Sequence, residues 1–470
     1  MLQDRCDLAI IGAGPTGLGA AWRLANPPNN CTAVEWVLLC ADQRPGGLAG
    51  SVIDPDHFTW DLGGHVICPH YPLFDQLLDK LISRWVWNVP VRGAWMFQRF
   101  IPYPVQKNIR HLPKREMLQC LQGLVEVLQA GRTPPHGCDF REFLEMQFGK
   151  GFCEVFFEPL NFKMWAHPLS ELNSDWVRHR SGSQTANVAT TDLMALLENL
   201  VFEKDEPGWT PNTRSRYPAT GGTGSIWQAL FDSLPTERAT LGVSVTHIET
   251  KNHVLHLSDG RRLEYQFLIS SMPLNHLLTM ITDQPELTIQ AERFKYSGTY
   301  LIGLGLEGPL PKPLEGVCTL YLPELNIPCW RLSVLSNFSP GNVPTPDHWS
   351  ILTETAESAH KPVNSTSLLV EVRRGLQRCQ LLSGEAKEVS VYMRYLPFAY
   401  PLPFRERDRV LPPVQAKLKS LNIYSRGRFG GWKYEVSNQD HSFMQGVEAI
   451  DHILLGRDET TYDSPFQINA

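Results

Sequence analysis

The chain has 470 residues, 42% of them hydrophobic and 20% charged, with a formal net charge of −6. It is too long for one ordinary core, so two or three globular domains are expected, and no basic field exists to hold nucleic acid or acidic lipid. Ten cysteines stand without a C-x-x-C pair, which excludes a zinc framework, gives no metal site and favours a reducing compartment. The N-terminus lacks an apolar leader core and no apolar run reaches a membrane span, so a cytoplasmic protein with no membrane partner is expected.

The first element, "DLAIIGAGPTGLGAAWRL" from Asp7 to Leu24, reads as a buried strand, a glycine turn and a helix. Gly12 turns the chain, Gly14 lets backbone approach a pyrophosphate, and Gly17 lets helix and strand pack closely. A second strand, "WVLLC", follows at Trp36 to Cys40. Cys40 stands where an acid would hold an adenosine ribose; Asp42, two residues on, either does that work through a shifted turn or is a solvated loop residue. Then come "PGGLAG", with Gly46, Gly47 and Leu48, and "WDLGGHVI", with Gly63, Gly64 and His65. The first fingerprint alone leaves NAD, FAD and plain packing open. The later glycine pairs decide for FAD, because a long dinucleotide held extended needs successive close backbone approaches.

From Pro72 to about Gly208 long helical segments follow, including Lys114 to Gly131 and Asp139 to Gly149, and Arg178 to Pro211 is expected to be a mobile flap. "YPATGGTGSIWQALFDSL" and the strands to "FLISSMP" return to the cofactor domain. Alternating strands between Tyr300 and Tyr400 predict an antiparallel sheet. The fold class is therefore α/β: a discontinuous Rossmann-like FAD-binding domain (1–73, 213–285, 405–470), a helical insertion domain with the flap (74–212), and an antiparallel sheet or substrate domain (286–404).

The last segment, "GRFGGWKYEVSNQDHSFMQGVEAIDHIL", joins a glycine turn to a helix beginning near Asp440, whose Phe443, Val447, Ile450 and Leu454 share one face. Arg428 lies in the turn, and Asn438, Gln439 and Ser442 crowd hydrogen-bonding groups around the first helical turn. A helix start there would aim N–H groups and positive dipole at the pyrimidine edge of a flavin and favour its anionic reduced form.

Together "GAGPTGLGAAWRL", "RPGGLAG", "DLGGHVI", "IPYPVQKNI", "NFKMWA", "YPATGGTGSIW", "KPVN" and "SRGRFGGWKYEVSNQDHSFMQGVEAIDHI" resemble, in order and over almost the whole chain, the flavin-dependent UDP-galactopyranose mutases of the eukaryotic, fungal-like branch. The resemblance implies an isomerase of UDP-sugars that consumes no net redox equivalents and yields UDP-galactofuranose. In that family N5 of reduced FAD attacks the anomeric carbon, UDP leaves, the ring reopens and recloses, and UDP returns. NADPH or NADH is the implied reductant. Carried over by position, Arg180 and Arg331 grip the diphosphate, Tyr400 and Tyr434 hydrogen-bond it, and Asn212 and Asn438 match sugar-side amides. Tyr103, Gln106 and Tyr321 match uridine contacts, Trp165 lies in the matching "NFKMWA", and His65 matches a flavin-facing histidine. Trp165 with Phe156, Phe157 and Phe162 reads equally as helix core.

Departures gather around the sugar. The flap has "WVRHR" at Trp176 to Arg180 where the family carries W-(L/V)-G-E-R. Cys68 and Thr319 replace aromatic residues, and Gly208 replaces an asparagine. A different or substituted UDP-sugar, such as UDP-N-acetylgalactosamine, is therefore the alternative substrate. A redox flavoenzyme of the amine-oxidase type and a non-catalytic FAD-binding descendant are the alternatives of other classes. The sequence leaves homo-oligomerisation open.

Overall fold

The computed structural model describes residues 4–28, 33–65, 67, 71–178, 191–206, 215–465 and 468. At its centre Leu8–Ile11 is flanked by Trp36–Cys40 and Phe267–Ser270, with Ala239–Leu241 and Ile423–Ser425 at the edges, all five strands parallel. Every residue of Leu8–Ile11 and Trp36–Cys40 is buried. Layers on both faces explain why these strands read as unbroken apolar runs. Helix Pro15–Ala25 leaves the first strand with proline in its first turn. It lies against the C-terminal helix Gln439–Leu455, and a Cβ on Gly446 would come within 2.0 Å of the Thr16 carbonyl oxygen. Phe443, Val447 and Ile450 are buried as their spacing predicts.

A second sheet has seven strands in the order Lys387–Pro401, Tyr296–Glu307, His348–Glu357, Arg331–Val334, Val317–Tyr321, Val91–Met96, Arg99–Pro102. It is mixed, because Val317–Tyr321 pairs in parallel with Val91–Met96. It also reaches outside 286–404: the hairpin Val91 to Pro102 comes from the stretch read as helical. The turn explains why sequence reading missed it. Phe97 and Gln98 both adopt positive φ, 56° and 57°, a two-residue turn normally announced by Asn-Gly or Asp-Gly.

The expected helices form at Lys114–Ala130 and Phe140–Phe152. Asp139 caps the second by accepting from Glu142 N–H at 2.8 Å. A π-helical turn, Cys153–Phe157, leads into Glu158–Trp165, and their aromatic side chains build the core shared with Tyr400 and Tyr434. Among the described residues the eight cysteines are free and buried, and no helix is long and apolar enough to cross a membrane.

Candidate functional site

The site begins where the parallel strands end. Gly12 takes φ +98°, donates its N–H to the Leu39 carbonyl at 2.7 Å, and leaves no room at Gly17, where a Cβ would lie 1.8 Å from Gly12 O. Gly46 (φ +103°) donates to the Ala13 carbonyl at 2.7 Å, and a Cβ on Gly47 would stand 3.4 Å from Gly14 Cα. Two glycine turns from different loops thus lie backbone against backbone beside an uncapped helix start at Gly14. Side chains are excluded there and N–H groups are presented, which fits an extended dinucleotide. Leu48 is partly buried against two of the hydrophobic clusters. Asp42 is exposed just past the strand, its carboxylate without a hydrogen bond among the described residues. Cys40 is buried, and burial pushes its thiol pKa up.

A buried carboxylate fixes the next loop. Asp61 accepts from Ser51 Oγ (2.5 Å), Tyr217 OH (2.7 Å) and Thr223 N–H (3.0 Å), tying three segments together. Burial still raises its pKa against those three donors. Beyond it Gly63 takes φ +138°, and Gly64 donates its N–H to Glu354 Oε1 at 3.0 Å. His65 follows, with Nδ1 3.4 Å from Thr223 Oγ1.

Burial, then the charges of Arg331 and Arg428, lower the His65 pKa to about 3. The imidazole is neutral throughout the physiological range. The unfolded chain titrates near 6.5, so below that pH the unfolded state binds the extra proton, and stability present above pH 6.5 is lost as pH falls toward 3. Replacing His65→Gln should remove about 1.6 kcal/mol of the acid destabilisation between pH 6.5 and 5. Urea unfolding of both proteins at the two pH values measures it; equal losses would show that His65 titrates normally.

Arg331 lies opposite Glu354 in register on adjacent strands. Its Nε and Nη2 donate to Glu354 Oε1 and Oε2 at 2.7 and 2.8 Å, while its guanidinium stacks 4.5 Å from the Trp330 ring. Nη1 carries no hydrogen bond among the described residues, so Arg331 keeps one edge for an anion. Arg428 is engaged differently: it donates to the Ala399 carbonyl (2.9 and 3.1 Å) and Ser437 Oγ (3.0 Å), and its Cζ lies 5.0 and 5.3 Å from the rings of Tyr400 and Tyr434. That geometry makes it a support for the two tyrosines. Burial pushes the Tyr400 pKa up even against Arg331, so its hydroxyl remains a donor. Trp165, fully buried, meets both tyrosine rings edge-on at 5.8 and 4.8 Å.

The ring contacts continue from Trp330 to Tyr321 (6.2 Å) and from Tyr321 to Tyr103 (5.3 Å). Gln106 is buried three residues beyond Tyr103. Asn438 starts the C-terminal helix without a side-chain cap and accepts from Ser442 N–H at 2.9 Å through its carbonyl. The Gln439 side-chain oxygen accepts from Trp227 Nε1 at 2.8 Å. Arg180, Asn212, Cys68 and Gly208 lie outside the described residues; Thr319 is buried opposite Ser333.

Sequence reading missed Glu354, Trp330 and the Asp61 network. Glu354 had a signal: a lone acid inside "SILTETA", on a strand otherwise too apolar and hydroxyl-rich to face water. Trp330 sits next to Arg331 and needed only the question of what flattens that guanidinium.

The sequence profile of flavin containing amine oxidoreductases matches residues 15–378, which makes the chain a flavoprotein of that α/β class. A crystal structure of reduced UDP-galactopyranose mutase superposes with a TM-score of 0.92 at 40% identity, covering 99% of each chain. This chain belongs to the UDP-galactopyranose mutase family. Wild-type putrescine oxidase bound to putrescine (TM-score 0.63, 15% identity, 96% of this chain and 99% of the other) and a CLA-producing fatty acid isomerase from P. acnes (0.61, 13%, 97% and 100%) share the fold alone.

Proposed function

We propose that the protein interconverts UDP-galactopyranose and UDP-galactofuranose with FAD as its flavin, NADPH or NADH as reductant, in the cytoplasm. The observation that carries the reading is the meeting of Arg331, Tyr400 and Tyr434 beside the Gly63–His65 loop, in a chain 40% identical over its full length to a mutase. Gly12, Gly14, Gly17, Gly46 and Gly47 would hold the dinucleotide, and Gly63, Gly64, Asn438, Gln439 and Ser442 its ring end; Asp42 is the acid available to the ribose. When bound and reduced, the flavin supplies the nucleophile for the anomeric carbon.

The chain's own residues manage the leaving group. The C1–phosphate bond breaks and re-forms, so UDP must be held while it is detached. Arg331 presents a guanidinium edge to the diphosphate, with Glu354 and Trp330 fixing its plane. Tyr400 and Tyr434 donate hydroxyl hydrogen bonds to the same oxygens, their rings held by Trp165 and Arg428. Tyr103, Gln106 and Tyr321 receive the uridine. Arg180, on the flap, is assigned to the diphosphate and Asn212 to the sugar. A neutral His65 adds no further cation to Arg331 and Arg428 at this end of the site. The parts follow a division into a cofactor body (1–73, 213–285, 405–470), a helical insertion and a roofing sheet, the sheet being extended by Val91 to Pro102.

Activity is expected only after reduction: anaerobic, dithionite-treated protein should convert UDP-galactopyranose, and air-oxidised protein should not. Equal rates in both states would remove the reduced-flavin nucleophile. UDP-N-acetylgalactosamine in the same assay tests the altered residues Cys68 and Thr319.

A further inference from the structure

The three-stranded sheet Val245–Glu249, Val254–Leu257 and Arg262–Glu264 supplies none of the cofactor or nucleotide residues assigned above. Ile248 and Leu255 are buried on its inner face. On the other face, two imidazoles and a carboxylate meet. His247 and His256 are paired across the antiparallel register with ring centroids 5.1 Å apart. Glu249 lies two residues beyond His247, hence on the same face, and its Oε1 stands 2.6 Å from His256 Nε2. One donor atom from each of the three lies within 4.8 Å of the others, and all three residues are half-buried.

Neighbours hold these donors in place. Asn252 Nδ2 donates to Glu249 Oε2 at 3.0 Å, leaving Oε1 for His256, and Thr282 Oγ1 lies 3.2 Å from His247 Nε2. Arg262 Nη2 stands 3.9 Å from Glu249, but its side chain is 62% exposed and can turn into water.

We infer that His247, Glu249 and His256 form a binding site for one divalent transition cation of the zinc type, with solvent completing its coordination. Two imidazoles and one carboxylate are a sufficient protein ligand set for zinc with an open fourth position. Magnesium and calcium, which demand oxygen ligands, are not suited to it. Without metal, a proton on His256 Nε2 bridges to Glu249; on binding, the cation takes that place and the ring carries its proton on Nδ1. The ion would clip two strands together beside the register shift between Val245 and His247.

The test is equilibrium dialysis of the flavin-loaded full chain, stripped with chelator, against zinc. Wild type should bind one zinc per chain at micromolar concentration, His256→Ala at least tenfold more weakly, and the double variant His247→Ala with His256→Ala not at this site. Zinc should raise the melting temperature of wild type by a few degrees and leave the double variant unmoved. Cobalt in place of zinc should give visible ligand-field absorption in wild type alone. Unchanged zinc stoichiometry and affinity in the double variant, or no saturable binding by wild type at millimolar zinc, would overturn the assignment.

Discussion

Gly17→Ala is expected to yield protein without flavin. The added methyl would sit 1.8 Å from the Gly12 carbonyl oxygen and 3.3 Å from the Ile10 side chain. Backbone cannot yield as the end of a flexible side chain can, so the first strand and its helix must separate. Overpacking usually costs about 1 to 3 kcal/mol and more where relaxation is blocked. Gly12 cannot retreat either, because its φ of +98° already belongs to glycine. Gly384→Ala, where nothing lies within 4 Å, is the neutral control. The absorbance ratio of flavin to protein after purification reads the result. Full flavin loading in Gly17→Ala would mean that close backbone approach does not define the cofactor cradle.

Arg331→Ala should have two separable effects. It strands the Glu354 carboxylate, 2% exposed, with only the Gly64 N–H left as partner among the described residues. Breaking such a buried pair costs about 3 to 5 kcal/mol of stability. It also removes a charge-assisted contact to the diphosphate, worth about 1.5 to 3 kcal/mol, or roughly ten- to a hundredfold in UDP affinity. Adding Glu354→Gln to Arg331→Ala should recover stability without recovering UDP binding. Denaturant unfolding and calorimetric titration with UDP separate the two terms. Wild-type UDP affinity in Arg331→Ala would make the arginine a structural partner of Glu354 and nothing more.

The parts of this molecule legible in sequence are those set by local rules. The strand Leu8–Ile11 and the face Phe443, Val447, Ile450 follow from burial and period, and the glycine doublets announce close backbone contact because no other residue serves. What sequence reading lost depended on tertiary partners. The hairpin at Phe97 and Gln98 forms without its usual turn residues, so an edge of the large sheet was hidden in a helical stretch. Arg331 could be read as a cation, but the carboxylate that orients it is 23 residues away and becomes its neighbour only through strand register. Arg428 sits in a glycine-rich turn, and its hydrogen bonds to Ala399 and Ser437 are contacts no local pattern announces. Trp165 lies fully buried in the aromatic core that its packing reading expects, edge-on to Tyr400 and Tyr434.

The most direct measurement follows anaerobic conversion of UDP-galactopyranose by reduced protein in proton NMR while recording flavin absorbance. The account predicts that the furanose form accumulates to a constant ratio over many turnovers, with the flavin spectrum remaining reduced and no NADPH consumed per product. No furanose, or product formed only in step with flavin oxidation, would contradict it.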